Sequence, residues 1–259
     1  MRVVSLVPSI TETLFALGLG TDEVVGRTAF CVHPSREVEA VRKVGGTKTP
    51  SLRSIRALEP DVVILEREEN TLRTHRELEE AGLRTLVLHV LRVADVPSML
   101  RELGEAVGRS AAGEELARRT EEALRRAEER ASRLGPGPCT LPLIWNEPLM
   151  AVAPSRYGGD ILLHCGFRSP ILPAAAGGYP RVTPELLGEM GVELLLLASE
   201  PHEFTDEEAA AVCDAVAAAG HARPHPLLVD GEDLTWFGVR TARALQAWTT
   251  LRERTATAG

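Results

Sequence analysis

The sequence predicts an α/β protein with two Rossmann-like lobes, each built on a mostly parallel sheet, joined by a single long α-helix. One helix-then-strand pattern occurs twice, at 51–65 and 183–197, and a charged stretch without proline lies between the copies. Short apolar runs alternate with helical patterns on both sides of that stretch, which is typical of parallel sheets covered by helices. We therefore expect an amino-terminal lobe, a linking helix and a carboxyl-terminal lobe at 1–109, 110–135 and 136–259.

The elements of the first lobe follow from its apolar runs, caps and glycines. A capping box at Ser9 to Glu12 opens the first helix, and Gly18 ends it. The strands are predicted at 3–7, 23–27, 62–66 and 85–90. Two further helices and the linking helix are predicted at 71–81, 96–107 and 110–134.

The second lobe repeats this alternation after a break at Gly135-Pro136-Gly137-Pro138. A second capping box, Thr205 to Glu208, opens a helix that continues to Ala219. The strands are predicted at 140–145, 193–198 and 227–229. Two more helices are predicted at about 160–165 and about 237–254, in addition to the helix of the second repeat copy.

The composition allows two lobes and excludes several classes of protein. With 259 residues, 44% of them hydrophobic, the chain is long enough to form two buried cores. The net charge of −8 argues against a nucleic-acid-binding protein, which needs a basic surface to neutralise phosphates. No apolar run approaches the roughly 18 residues that a membrane-spanning helix needs. We therefore expect a monomer with neither a nucleic-acid partner nor a membrane span.

The first residues and the cysteines bear on the cellular location. Met1 to Pro8 enters a strand at once and lacks the basic and apolar regions of a signal peptide. The four cysteines are far apart and form no CxxC pair, which favours reduced, buried thiols. They are Cys31, Cys139, Cys165 and Cys213. We expect a cytoplasmic protein, or a periplasmic one if a leader precedes the sequence given.

Side chains suited to ligand binding lie in or beside the predicted loops, and the loops that follow the strands of parallel α/β sheets commonly hold ligands. The aromatic candidates are Phe30, Trp145, Tyr157, Tyr179, Trp236 and Phe237. The polar candidates are His33, Lys48, Glu66, Arg181, Glu200 and Arg240. Rings around a cleft between two lobes suit a large, flat or partly apolar ligand. In the alternative interpretation, the rings fix loops to their own lobes and the polar groups are ordinary surface charges.

The sequence contains no recognisable catalytic or metal-binding motif. Cys31-x-His33 and His164-Cys165 contain side chains that bind zinc, but their spacing matches no standard zinc module. Gly46-Thr47-Lys48-Thr49 lacks the order of a phosphate-binding loop, and no GxSxG sequence occurs. We predict no catalytic residue, no direct metal ligand and no cofactor.

Several motifs together resemble those of one family. They are Val3 to Glu12, Val25 to Thr28, Gly45-Gly46-Thr47 with 52–65, and Asp230-Gly231-Glu232 with 236–240. In these motifs the chain resembles the class III periplasmic binding proteins, the cobalamin and iron-siderophore receptors of ABC importers. The resemblance implies a solute-binding protein that holds a cobalamin-like, haem-like or ferric-siderophore ligand in a cleft between its lobes and makes no covalent bond.

The same resemblance implies roles for individual residues. Phe30 falls where an aromatic residue contacts the corrin ring, and Tyr179 falls where a tryptophan stacks on it. Thr47 replaces the stacking tryptophan of the first lobe. For docking to an ABC permease the family places one glutamate on each lobe, and here Glu185 lies at the second-lobe position, whereas Arg53 lies at the first-lobe position.

Two other functions are compatible with the sequence. The first is a cytoplasmic accessory protein for metals or tetrapyrroles, or an enzyme, that reuses the fold, with His33, Glu66 or His202 as an acid, base or ligand. The second is a two-lobed module whose cleft no longer binds a ligand.

Overall fold

The computed structural model describes residues 1–174 and 176–257. The chain divides into two compact units, each with its own sheet. The first unit consists of 1–90, 94–121 and 237–240. The second unit consists of 91–93, 122–236 and the chain from Thr241 onward. The division therefore shares the long helix between the units, whereas the sequence predicts a separate linker at 110–135.

The first unit contains a five-stranded parallel sheet in the order β3-β2-β1-β4-β5. Its strands are β1 Val3–Ser5, β2 Val24–Arg27, β3 Arg42–Lys43, β4 Val62–Glu66 and β5 Thr85–Leu88. Its helices are α1 Pro8–Ala16, α2 Ser35–Glu39, α3 Leu52–Arg56, α4 Leu72–Glu80 and α5 Val96–Ala106. The long helix, α6, spans Ser110–Leu134, as the sequence predicts.

The second unit contains a four-stranded sheet in the order β7-β6-β8-β9, parallel except for β7. Its strands are β6 Thr140–Trp145, β7 Met150–Ala151, β8 Leu194–Ala198 and β9 His225–Val229. Its helices are α7 Tyr157–His164, α8 Pro184–Glu189, α9 Asp206–Ala218, α10 Gly231–Thr235 and α11 Thr241–Thr257. The predicted class, an α/β fold with two mostly parallel sheets, is confirmed.

The two copies of the repeat adopt the same local structure. Ser51 and Thr183 are the N-caps of α3 and α8, which lead into the buried strands β4 and β8. Between helix and strand the backbone adopts a positive φ in both copies, +44° at Glu59 and +63° at Gly191. Glycine adopts this conformation without the steric cost that a side chain brings. The repeat thus builds the same helix, turn and central strand in each unit.

Each sheet packs one face on an apolar core. In the first unit, Val63 and Leu65 of β4 contact the same core as Val4 of β1, because alternate residues of a strand lie on one face. Ile55 of α3 closes this core and is fully buried. In the second unit the equivalent helix α8 contributes Leu187, which is also fully buried. Burial of one such side chain contributes about 1.5 to 3 kcal/mol to folding.

Two predicted helix boundaries are wrong. The first helix begins at Pro8, so Ser9 lies inside the helix and is buried instead of capping it. Proline favours the first helical position because its φ is already helical and its missing N–H has no partner there. The predicted helix at about 237–254 corresponds to α11, which begins later, at Thr241, and Phe237 lies in the loop between it and α10, a short helix that the sequence did not predict. Gly238, at φ +100°, interrupts the helical backbone there.

The cysteines are free thiols, and all four are buried, as expected from their spacing. Burial is the main reason that the pKa of Cys31 and of Cys139 is raised. In the part of the chain that the structure describes, no helix has the length and apolar character to span a bilayer.

Candidate functional site

The loops that follow parallel strands gather at the carboxyl edge of each sheet, which is where ligands bind in open α/β sheets. In the first unit this edge carries Phe30, after β2, and the loop after β4. In the second unit it carries Trp145, the last residue of β6, and His202, which follows β8. Each edge is a separate candidate surface.

The first carboxyl edge displays an exposed ring and an exposed cation. Phe30 is 61% exposed, and its ring lies against Gly46, where an added Cβ would lie 3.5 Å from a ring carbon. Lys48 is exposed, and its ammonium group donates a hydrogen bond to the backbone carbonyl of Glu68. An aromatic face of this size outside the core is the kind of group that contacts a flat ligand.

Glu66 has a different place in the same edge. Its side chain is 1% exposed, and Oε2 accepts hydrogen bonds from the backbone N–H groups of Glu68 at 2.6 Å and Glu69 at 3.0 Å. Oε1 lies 3.4 Å from the backbone nitrogen of Val90. The carboxylate therefore holds the loop after β4 and the chain after β5 in place, and it has little surface for a ligand.

Asn70 ties three loops of this edge together, and the sequence analysis did not identify it. Its Nδ2 donates to the carbonyls of Leu6 at 3.2 Å and Thr47 at 2.9 Å, and its Oδ1 accepts from the backbone N–H of Glu66 at 2.9 Å. A buried asparagine side chain needs such partners. The sequence feature that could have identified Asn70 is its position at the end of Glu68-Glu69-Asn70, in the loop after β4.

The second carboxyl edge carries a row of rings. Trp145 is 41% exposed, and its indole Nε1 donates to the carbonyl of Glu147 at 3.1 Å. The ring centroid of Trp145 lies 5.9 Å from that of His202, at an interplanar angle of 60°. His202 in turn contacts Phe204 edge to face, with centroids 4.8 Å apart. We call Trp145, His202 and Phe204 the ring row.

A carboxylate lies behind the ring row. Nε2 of His202 is 3.1 Å from both carboxylate oxygens of Glu208, and Nδ2 of Asn146 donates to one of them at 2.7 Å. The same carboxylate accepts from the backbone N–H of Thr205 and completes the capping box of α9. The Thr205 N–H, followed by His202 and Asn146, lowers the pKa of Glu208. Glu208 is therefore a fixed anion that orients His202.

Glu200 and Tyr157 are held inside the second unit. Oε1 of Glu200 accepts from the hydroxyl of Thr235 at 2.7 Å, and burial raises the pKa of this carboxyl group. The hydroxyl of Tyr157 lies 3.0 Å from that of Thr241, and burial raises the pKa of this phenol well above its ordinary range. Both side chains thus have structural partners within their own unit.

Arg240 belongs to the short segment 237–240 that completes the first unit. Its guanidinium is buried and forms an ion pair with Glu12 of α1. The backbone N–H of Val239 donates to the hydroxyl of Thr13 at 3.1 Å, and Gly238 lies so close to Thr13 that an added Cβ would be 2.4 Å from that oxygen. Only glycine fits there. Of the remaining candidates, Trp236 and Phe237 are buried as well.

The other candidates keep some exposed surface. Arg181 is exposed, and His33 and Tyr179 are partly exposed. No cluster of three histidine, cysteine, aspartate or glutamate side chains suited to a metal ion occurs among residues 1–174 and 176–257. The thiol of Cys31 lies 3.0 Å from the hydroxyl of Thr11 and 3.2 Å from that of Thr28.

These structural features agree with comparisons to known proteins. Residues 3–219 match the sequence model of the family described as periplasmic binding protein, so the chain belongs to that family. An uncharacterised ABC transporter substrate-binding lipoprotein of Bacillus subtilis is 30% identical over 136 residues, which are 51% of this chain and 42% of that protein. The chain spans less than half the length of the first curated relatives that it matches.

Solved structures share the fold over almost the whole chain. A periplasmic haem-binding protein from Pseudomonas aeruginosa is 24% identical with a TM-score of 0.82, over 98% of this chain and 93% of that one. The periplasmic vitamin B12-binding protein of Vibrio cholerae is 18% identical with a TM-score of 0.81, over 100% of this chain and 98% of that one. At these identities the likeness shows the fold alone.

The comparisons confirm one expectation and correct another. The chain belongs to a family of periplasmic binding proteins, which confirms the predicted class, a solute-binding protein, and gives the alternative of an enzyme no support. The expectation of a cytoplasmic protein is wrong, because the relatives are periplasmic binding proteins or a lipoprotein, and these are extracytoplasmic. That expectation depended on the lack of signal-peptide features in Met1 to Pro8.

Proposed function

We propose that this protein is the substrate-binding component of an ABC importer for a flat, largely apolar ligand of the cobalamin, haem or ferric-chelate type. The observation that carries the proposal is the exposure of one aromatic ring at the carboxyl edge of each sheet, Phe30 at the first and Trp145 at the second. Each ring offers a large apolar surface at the edge of the sheet where ligands of α/β proteins bind. Relatives named for binding vitamin B12 and haem support this class of ligand.

The proposed ligand contacts are those candidates that keep exposed surface. Phe30, Trp145 and Tyr179 supply ring contacts, and Lys48 and Arg181 orient polar groups of the ligand. His33 is the remaining polar contact. The remaining candidates are buried or held by partners, and in this proposal they support the two surfaces. Their role as ligand contacts stays a prediction from the sequence. They are Glu66, Tyr157, Glu200, Trp236, Phe237 and Arg240. The position of the ligand between the lobes also stays a prediction.

A ligand panel tests this function. We expect purified protein to bind at least one of cyanocobalamin, cobinamide, haemin and a ferric hydroxamate, as followed by absorbance and tryptophan fluorescence. F30A and W145A should each weaken binding by roughly three- to tenfold, since an aromatic contact contributes about 0.5 to 1.5 kcal/mol beyond its area. Leu163→Ala is the matched control, because Leu163 is an exposed apolar residue at the end of α7. Failure of every ligand to bind would overturn the proposal.

We also propose that the protein docks to an ABC permease through the equivalent helices α3 and α8. Each helix has exposed charged residues, and the charges are opposite: Arg53 and Arg56 on α3, but Glu185 and Glu189 on α8. Unlike charges at an interface fix orientation and speed association. The permease partner should therefore be acidic where it meets α3 and basic where it meets α8, and the protein should dock as a monomer.

Charge reversal tests the docking proposal. R53E and E185R should each weaken binding to the cognate permease–ATPase complex in lipid nanodiscs, and raised salt should weaken the wild type. A reversal of Glu80, an exposed residue of α4, serves as the control. Tighter binding of R53E than of the wild type would contradict the proposal, because it would show that the permease presents a cation to α3.

A further inference from the structure

His202 lies in the middle of the ring row and has a hydrogen-bonding capacity that its fold does not use. We infer that His202 is a specificity-determining residue of the ligand surface: oriented by Glu208, it presents Nδ1 as a hydrogen-bond acceptor beside the exposed ring of Trp145 and selects a ligand with an N–H or O–H donor at its edge. This inference rests on the proposed function and adds to it the chemistry of the ligand's edge.

The tautomer of the neutral imidazole follows from its partner. Both carboxylate oxygens of Glu208 lie 3.1 Å from Nε2 of His202, and a carboxylate accepts hydrogen bonds but does not donate them. Nε2 therefore carries the proton, and Nδ1 carries the lone pair. In the part of the chain that the structure describes, Nδ1 has no hydrogen-bond partner, and 29% of the side chain is exposed. The unused acceptor is accessible to a ligand.

The imidazole is held firmly enough to discriminate. Glu208 is fixed by the backbone N–H of Thr205 at 3.0 Å and by Asn146 at 2.7 Å, so it does not swing away from His202. Phe204, which is buried, contacts the imidazole edge to face, at 4.8 Å between centroids. A polar group fixed by its own partners selects ligands more sharply than a mobile one.

The position of His202 connects this acceptor with the ligand. Trp145 is the exposed end of the ring row, and its centroid is 5.9 Å from that of His202. A flat ligand stacked on Trp145 would bring its edge to His202. A rim of amide N–H groups would then donate to Nδ1, whereas a rim of carboxylates would face a lone pair and the anion of Glu208.

Two probes with different edges test the inference. Cyanocobalamin has amide groups around its macrocycle, and haemin has carboxylates. H202F, which keeps a ring but removes the acceptor, should change the ratio of the two affinities by about tenfold in favour of haemin, the size of one lost hydrogen bond. If only one probe binds, H202F should weaken the binding of cyanocobalamin and should not weaken that of haemin. H202Q, which keeps a donor and an acceptor, should keep the ratio of the wild type.

A matched histidine supplies the control. His225 is an exposed histidine at the start of β9, and H225Q should leave the ratio of the two affinities unchanged.

The outcomes separate the two proposals. Binding of a probe by the wild type with unchanged affinities in H202F would overturn the role of His202 and leave the solute-binding function intact. Binding of neither probe, and of no other member of the ligand panel, would overturn the proposed function and the role of His202 together. Circular dichroism of each variant confirms that it is folded.

Discussion

Ser51 and Thr183 cap equivalent helices in the two units. The side chain of Ser51 accepts a hydrogen bond from the backbone N–H of Ser54 at 3.2 Å, and that of Thr183 accepts one from Leu186 at 3.3 Å. Each cap satisfies a backbone donor that the helix itself leaves unpaired. The same hydroxyl chemistry therefore starts the helix before the central strand in both copies of the repeat.

The caps predict equal losses of stability in the two units. S51A and T183A should each lower the free energy of unfolding by about 1 kcal/mol, which urea denaturation measures. T250A is the control, since the Thr250 hydroxyl bonds only to the Gln246 carbonyl within its own helix. It should stay within about 0.5 kcal/mol of the wild type. A loss for T250A as large as for the caps would contradict this account.

The buried carboxylate of Glu66 predicts a large effect of an isosteric change. Glu66→Gln replaces one carboxylate oxygen with an NH₂ group, which donates hydrogen bonds and does not accept them. The oxygen replaced is either the one that accepts from the N–H groups of Glu68 and Glu69 or the one that faces Val90. We expect the free energy of unfolding to fall by about 2 kcal/mol, since hydrogen bonds to charged groups are the stronger ones. E80Q, on the exposed side of α4, should change it by less than about 0.5 kcal/mol. An unchanged free energy of unfolding in Glu66→Gln would show that the loop does not depend on the carboxylate.

The contacts of His164 predict that the free energy of unfolding depends on pH. Its Nε2 lies 3.4 Å from Asp160, and its Nδ1 lies 2.8 Å from Glu128 of α6. The hydrogen bond to Asp160, with that to Glu128, raises the pKa of His164, and partial burial opposes the rise. Because the pKa in the folded state is raised, this stabilisation is full below the unfolded value of about 6.5 and is lost as the pH rises through the folded value.

Unfolding measurements at several pH values check that expectation. Between about pH 6 and about pH 8.5, the wild type should lose more stability than H164Q, whose side chain does not titrate. H225Q, which changes an exposed histidine, should follow the wild type. Parallel curves for the wild type and H164Q would contradict the assignment of the pH dependence to His164.

The ion pair of Arg240 with Glu12 predicts that R240A lowers the free energy of unfolding, which the loss of a ligand contact would not do. R240A leaves the Glu12 carboxylate without its partner in a partly buried place, and we expect a loss of about 3 kcal/mol. R243A breaks the exposed pair with Asp233 and should cost less than about 1 kcal/mol. A folded, equally stable R240A that binds the ligand more weakly would instead make Arg240 a ligand contact.

The sequence predicted the parts of the fold that have long or strongly patterned signals. α6 and the central strands β4 and β6 were placed at their observed bounds, because apolar runs and caps define them on their own. β3 and β7, with two residues each, were missed. Arg42 and Lys43 are both exposed, so β3 has no apolar pattern and exists only through its pairing with β2.

The candidate site was harder to predict because exposure depends on distant partners. Trp145 and Tyr157 look alike in the sequence, yet Trp145 is exposed, whereas Tyr157 is buried against Thr241, 84 positions away. No local pattern shows that contact. By contrast, the pairing of His202 with Glu208 spans six positions and includes the capping box that the sequence identified. The sequence identified the capping box and His202 separately, and their pairing became visible only in the structure.

The four buried thiols give each unit an internal reporter of its own opening. Cys31 lies in the first unit, whereas Cys139, Cys165 and Cys213 lie in the second. A thiol reagent added under native conditions reacts with a buried cysteine only when the surrounding structure opens. No disulfide links these sulfurs. The labelling rates, measured with and without bound ligand, therefore show how independently the two units open.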